Sequence, residues 1–216
     1  MNAMKHFPLA ALLLIFATLV AACSEKDDGS EVYEYTDWQQ KNDTYWNTLY
    51  SNAQQRIAAG DNSWRIITTW SKNESVATKS TDHIVVHVLS EGEGSEQPFY
   101  TDTVRVHYTG RLIPSPSHPQ GFQFDTSMSG SYDSSIPYKA AASSFVDGFT
   151  TAVTNMHVGD RWEIYIPYQL GYGTSDRSDI PGYSTLIFDV TLAAFFHPGS
   201  LVPEWRAPYA AITGEW

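Results

Sequence analysis

One cysteine, Cys23, is all the chain has, so an intrachain disulfide is excluded. Positive charge is also scarce. Thirteen Lys and Arg stand against 24 Asp and Glu, for a formal net charge of −11. A surface of that sign repels phosphate backbones, which removes nucleic acid from the candidate partners. Only one stretch is strongly apolar, Leu9 to Ala22, interrupted only by Thr18. It falls short of the ~20 residues that a membrane-spanning helix needs. Reactive motifs are missing too. Gly171-Tyr172-Gly173 lacks the Lys and following helix of a phosphate loop, and the Ser-rich stretches contain no nucleophile elbow. His83 and His87 are the only closely spaced histidines, and on a strand they lie ~13 Å apart. Asp125, Asp147 and Asp160 are acids that nothing in the pattern pins together. Neither a metal nor a cofactor is called for.

What is present begins with an export signal. Lys5 and His6 precede the apolar run, which ends in Leu19-Val20-Ala21-Ala22-Cys23, similar to a bacterial lipobox. Residues 1–22 read as a lipoprotein signal peptide and Cys23 as the acylated new N-terminus, with several acyl chains anchoring the protein stably. Loss of Lys5 would take the charge to −12. Ser24-Glu25-Lys26-Asp27-Asp28 resembles an acidic tag for display at the cell surface, at the head of a tether over 23–34. The expectation is an outer-membrane lipoprotein on the periplasmic side or the cell surface, touching the membrane through its lipid only.

Apolar residues make up 42% of the chain and aromatics 14%, against 17% charged, a mixture suited to a β-rich domain with aromatic clefts. Residues 35–82 read as a helical N-terminal extension. Thr36 is placed to cap a helix, with Gln39 as its capping-box partner. Trp38, Tyr45, Leu49, Ala53 and Ile57 recur at helical spacing up to Gly60. Trp64, Ile66, Ile67 and Trp70 form a second apolar cluster, and 71–82 reads as loop. The extension could pack on the next domain, or serve as a dimerisation arm or client clamp.

From His83 the period becomes that of strands. Strands are expected at His83–Leu89, Thr103–Leu112, Phe122–Asp125, Arg161–Pro167 and Ser184–Phe195, with a short helix at Asp147–Met156. In the second of these, Val104, Val106 and Tyr108 face one side and Arg105, His107 and Thr109 the other. The pattern predicts an antiparallel α+β domain over 83–196. The tail, 197–216, carries Trp205, Tyr209 and Trp216, which suggest docking on the body.

Six elements in order carry a resemblance. They are Val106-His107-Tyr108-Thr109-Gly110; Phe124-Asp125-Thr126-Ser127; Phe145-Val146-Asp147-Gly148-Phe149; Ile166-Pro167-Tyr168-Gln169-Leu170-Gly171-Tyr172-Gly173; Ile180-Pro181; and Thr185-Leu186-Ile187-Phe188-Asp189-Val190. About half of the chain thus resembles prolyl cis-trans isomerases of the FKBP type. The resemblance implies a twisted antiparallel sheet wrapped around a short helix and an isomerase acting on proline-containing extracytoplasmic polypeptides without a cofactor. It also implies that Tyr108, Phe124, Phe145, Val146, Phe149 and Phe188 line the pocket, with Phe149 as floor. Tyr172 would offer its hydroxyl, and Ile180 its backbone N–H, to substrate carbonyls. Asp125 would sit at the rim near Tyr108. The catalytic set is then Tyr108, Phe124, Asp125, Tyr172 and Phe188, and the substrate-binding set Phe145, Val146, Phe149 and Ile180.

The sequence departs from that pattern in four places. Phe149 replaces a usual Trp, and Met128, Ser129 and Gly130 stand where a basic residue often follows the Asp. Tyr138 and Ala140 stand where Phe is common, and the 113–121 loop is longer. The alternative to an enzyme is a non-catalytic peptide-binding or chaperone-like surface lipoprotein using the same pocket. A third reading is ligand binding through the Trp-rich front section.

Overall fold

The computed structural model describes residues 34–130 and 135–205. Cys23, the signal peptide, the acidic tag, Tyr209 and Trp216 lie outside the described residues. The elements in chain order are α1 (Trp38–Ala58), β1 (Trp64–Thr68), β2 (His83–Ser90), β3 (Thr103–Arg111), β4 (Gln123–Thr126), β5 (Tyr138–Ala141), α2 (Asp147–Val153), β6 (Arg161–Ile166) and β7 (Leu186–Phe196).

The strands form one sheet in the order β1-β2-β6-β7-β3-β4, with β5 also paired to β3. All of these pairings are antiparallel. Side chains alternate across a strand, so the register divides the sheet into two faces. Val104, Val106 and Tyr108 share the inner face with Trp162, Ile164, Ile166, Leu186, Phe188 and Val190. The α2 helix packs against this face, its Phe149, Ala152 and Val153 buried in the same core. Fold class and helix placement agree with the expected α+β, FKBP-like arrangement.

The outer face is covered at both ends. Toward β1, β2 and β6 lies α1, which buries Trp38, Trp46 and Ala53 and half-buries Tyr45, Leu49 and Tyr50. Polar groups fix its position. Trp38 Nε1 donates to Ser184 Oγ at 2.8 Å, and Asn42 Oδ1 accepts the Thr185 N–H at 2.7 Å. The extension therefore packs on the domain that follows it. At the other end the tail crosses β3. Arg105 bonds the Pro203 carbonyl and lies over Trp205 at 5.7 Å, while Trp205 meets His107 edge-on at 6.3 Å.

Three local expectations are corrected. The α1 N-cap is Asp37, left-handed at φ 52° and without a side-chain cap, so the Thr36–Gln39 capping box does not start the helix. Trp38, pinned to Ser184 and edge-on to Tyr35 at 4.9 Å, sets where the helix begins. At the C-terminal end Gly60, at φ 86°, donates to Ile57 O while Asp61 N–H reaches Arg56 O, a Schellman stop that needs a residue free of Cβ strain. Ile57 is 40% exposed, and the buried stripe runs through Asn42 and Trp46 instead. Finally, the second apolar cluster is a strand: β1 pairs along β2 from Trp64↔His87 to Thr68↔His83, so the sheet begins before His83.

Candidate functional site

β3 supplies the centre of the inner-face site. Tyr108 pairs with Val190 of β7, two residues along from Phe188 on the same face, and its N–H donates to the hydroxyl of Ser127, just after β4, at 2.8 Å. Next to it, Gly110 makes room. A Cβ there would lie 2.6 Å from ring carbons of both Phe124 and Phe188, so only glycine lets these two rings meet, at 5.4 Å and nearly perpendicular.

The rings form a continuous set, edge-to-face except where Phe145 lies tilted on Phe149. Phe188 meets Phe149 at 5.1 Å and Tyr108 at 6.1 Å, Tyr108 meets Phe149 at 5.9 Å, and Phe145 lies against Phe149 at 4.5 Å. Together with Tyr138, Tyr172, Asp125 and Val146 they bound a cleft of about 250 Å³. Phe149, 2% exposed, lies at the base, and Tyr172, 39% exposed, at the mouth.

The polar groups are few. Tyr108 OH donates to Asp125 Oδ2 at 2.8 Å, and Asp125 Oδ1 accepts the Thr126 N–H at 2.8 Å. Burial first, then the bond to Asp125, pushes the Tyr108 hydroxyl far above its ordinary range, so it stays a proton donor at any working pH. Burial also raises the Tyr172 hydroxyl, with Asp125 adding to the shift and Arg177 opposing it. Among the described residues, the Val146 N–H at the start of α2 donates to no partner.

The cleft thus gathers eight of the nine expected pocket residues: Tyr108, Phe124, Asp125, Phe145, Val146, Phe149, Tyr172 and Phe188. Ile180 is the exception and requires a correction. It is buried, and its N–H donates to Arg177 O at 2.7 Å while its own carbonyl accepts the Arg177 N–H at 2.8 Å. That closed pair leaves Ile180 no amide for a substrate; Val146 has the open one. Tyr138 and Ser144 also line the cleft and were not among the expected site residues. The signal available was that Tyr138 occupies a position where the family pattern changes.

The other candidates separate in space. Asp160 is buried, accepting Gly92 N–H at 2.7 Å and His157 N–H at 2.8 Å, while Asp147 accepts the Ser71 hydroxyl at 3.2 Å. Neither joins Asp125. Among the described residues no group of three or more His, Cys, Asp or Glu is disposed to hold a metal ion. A larger groove of about 410 Å³ lies on the outer face, lined by His107, Thr109, Arg161, Asp189 and Thr191. Its Arg161 and Asp189 engage each other in two bonds, 2.9 and 2.6 Å, so its charges are already spent.

Residues 94–193 match the family model for the FKBP-type peptidyl-prolyl cis-trans isomerase. The chain is 40% identical over 106 residues to the FKBP-type 22 kDa peptidyl-prolyl cis-trans isomerase of Escherichia coli K12, covering 49% of this chain and 46% of that protein. It is 37% identical over 117 residues to the macrophage infectivity potentiator of Trypanosoma cruzi, covering 54% and 55%. The chain therefore spans about half the length of these curated relatives. A crystal structure of a peptidyl-prolyl cis-trans isomerase from Pseudomonas syringae shares the fold, with a TM-score of 0.51 at 23% identity over 73% of this chain and 95% of that one.

Proposed function

We propose that the chain catalyses rotation about X–Pro bonds in polypeptides outside the cytoplasm, a reading supported by the match of residues 94–193 to the FKBP-type peptidyl-prolyl cis-trans isomerase family model. The observation that carries this is the aromatic cleft with Phe149 at its base and the Tyr108–Asp125 bond at its rim. Rotation meets a barrier of ~18–20 kcal/mol set by amide resonance. Uncatalysed, it takes tens to hundreds of seconds. Reaching milliseconds needs ~10⁴–10⁵-fold, or about 5.5–7 kcal/mol of transition-state stabilisation.

No bond to the protein forms in this reaction. The proline ring enters between Tyr108, Phe149 and Phe188, which strip water from the amide and so weaken its resonance. The Val146 N–H and the Tyr172 hydroxyl hold the flanking carbonyls, leaving the imide free to twist. Binding the twisted form better than either planar form is the whole of the catalysis.

A protease-free exchange assay on a short Xaa-Pro peptide tests the proposal. Turnover well above background is expected; a background rate from folded protein that still binds the peptide would leave a peptide-binding module instead. Export and lipidation at Cys23 belong to the same proposal, supported by the lipobox-like Leu19–Cys23. Labelled fatty acid should be incorporated into the full-length chain, and Cys23→Ala should abolish that incorporation.

A further inference from the structure

We infer that the cleft prefers peptides with lysine or arginine immediately before the proline, selected by the carboxylate of Asp125. The inference rests on the proposed isomerase reading and adds a substrate class to it.

Asp125 differs from the other carboxylates that hold this fold together. Asp160 accepts two backbone amides, and Asp82 accepts the Lys79 N–H and pairs with Lys72. Asp102 accepts the Phe99 N–H and faces His197 at 3.0 Å. All three are buried. Asp125 is exposed, its two bonds come from neutral donors, and it is in no ion pair among the described residues. A carboxylate has about four acceptor positions, so at least one face stays open to a cation.

The surroundings supply no substitute. From Thr126 to Tyr138 the sequence contains neither Lys nor Arg. Lys139 falls in register with Arg105 on the outer face, opposite to Tyr138. Arg177 sits at the Tyr172 side, in the turn closed on Ile180. Asp147 is taken by Ser71. Meanwhile Tyr138 and Tyr172, 49% and 39% exposed, stand at the same rim as Asp125. Aromatic walls with a carboxylate between them suit a long aliphatic stem that ends in a cation. An acidic side chain in that place meets the same carboxylate and a chain of net charge −11.

The test uses the full chain and tetrapeptides differing only before proline: Lys, Arg, Gln, Leu or Glu. Both kcat/KM and Kd are measured, in low salt and in about 0.5 M salt, where the Debye length shrinks below ~5 Å. Lys and Arg should exceed Gln by about three- to tenfold, the range given by an exposed ion pair plus a cation over tyrosine. Glu should fall below Gln, and the gap should narrow in salt. In Asp125→Asn the Lys-to-Gln ratio should drop to about one, whatever happens to the overall rate. A wild-type ratio of one, or a ratio that Asp125→Asn leaves intact, overturns the inference while the isomerase reading stands. Should no peptide turn over, the isomerase reading is lost and the Kd ratio decides the selectivity; should none bind, both fall.

Discussion

The two faces of the sheet use neighbouring residues for opposite ends. Along β3, Tyr108 points inward to Phe149 and Phe188, while His107 and Thr109 on either side of it point outward to a groove bordered by Arg161 and Asp189. The outer groove is the larger, about 410 Å³ against about 250 Å³. Size is therefore a poor guide. On the outer face charged groups satisfy one another: Arg161 with Asp189, and Arg111 with Glu163, whose second oxygen accepts the Tyr165 hydroxyl. On the inner face the rings pack together, and among the described residues Asp125 is bonded only by neutral donors while the Tyr172 hydroxyl and the Val146 N–H have no partner. A site is marked by what its groups have not yet bonded to.

The adjacent residues Ile187 and Phe188 put that comparison at greatest risk. Both are nearly buried, at 7% and 5% exposure, but they face opposite sides of β7. Phe188→Ala should cost about 3–5 kcal/mol in denaturant unfolding, as large aromatic truncations do, and Ile187→Ala about 2–5 kcal/mol. Activity should separate them. The folded fraction of Phe188→Ala is expected to work at or near background, and that of Ile187→Ala within about twofold of the parent. Phe188→Leu, which keeps most of the volume, should lose activity with far less stability. Equal activity losses at 187 and 188 would mean that the rings act only as core.

A smaller effect distinguishes the exposed carboxylate from the buried ones. Asp160→Ala leaves the Gly92 and His157 amides without their acceptor, at a cost of about 1–3 kcal/mol. Thermal or denaturant unfolding should show this loss, with kcat/KM per folded molecule nearly unchanged. A fall in kcat/KM without any loss of stability would put Asp160 in the reaction and blur the distinction.

Much of the inner face was legible in the sequence because its residues come from separate elements whose order and wording repeat a known pattern. A ring at 108, 124, 149 or 188 has little local reason to be aromatic, so the match points to a shared cleft. What stayed hidden depends on tertiary contacts. β1 is half-buried along its whole length, so Trp64, Ile66 and Ile67 show no clean alternation. Asn42 reads as a polar interruption of the α1 stripe, yet its amide bridges Trp38 O and the Thr185 N–H in the interior. Ile180 kept its place in the pattern, but its amide is consumed by a turn that only the folded chain shows. Trp205 declared an apolar load without declaring that Arg105 and His107 were beneath it.

The smallest expected effect concerns Glu34, the first described residue, which was expected to belong to a free tether. Its carboxylate accepts the Ser115 hydroxyl, the Ser117 N–H at 3.2 Å, and lies 3.2 Å from His118 Nδ1. The front segment thus reaches the domain in two ways: by apolar burial of α1 on the outer face, and by this polar clasp on the 113–121 loop. The Ser115 bond, followed by Ser117, lowers the Glu34 pKa from 4.5 to about 2. With the folded value depressed, the clasp contributes above pH 4.5 and is lost as pH falls from there through about 2. A side-chain titration followed by NMR should place the Glu34 midpoint near 2. Glu34→Gln should remove the pH dependence of the Ser115 and Ser117 signals across that window while barely altering stability or turnover at neutral pH. A midpoint near 4.5 would mean that the clasp is not held in solution, leaving α1 alone to fix the front segment on the outer face.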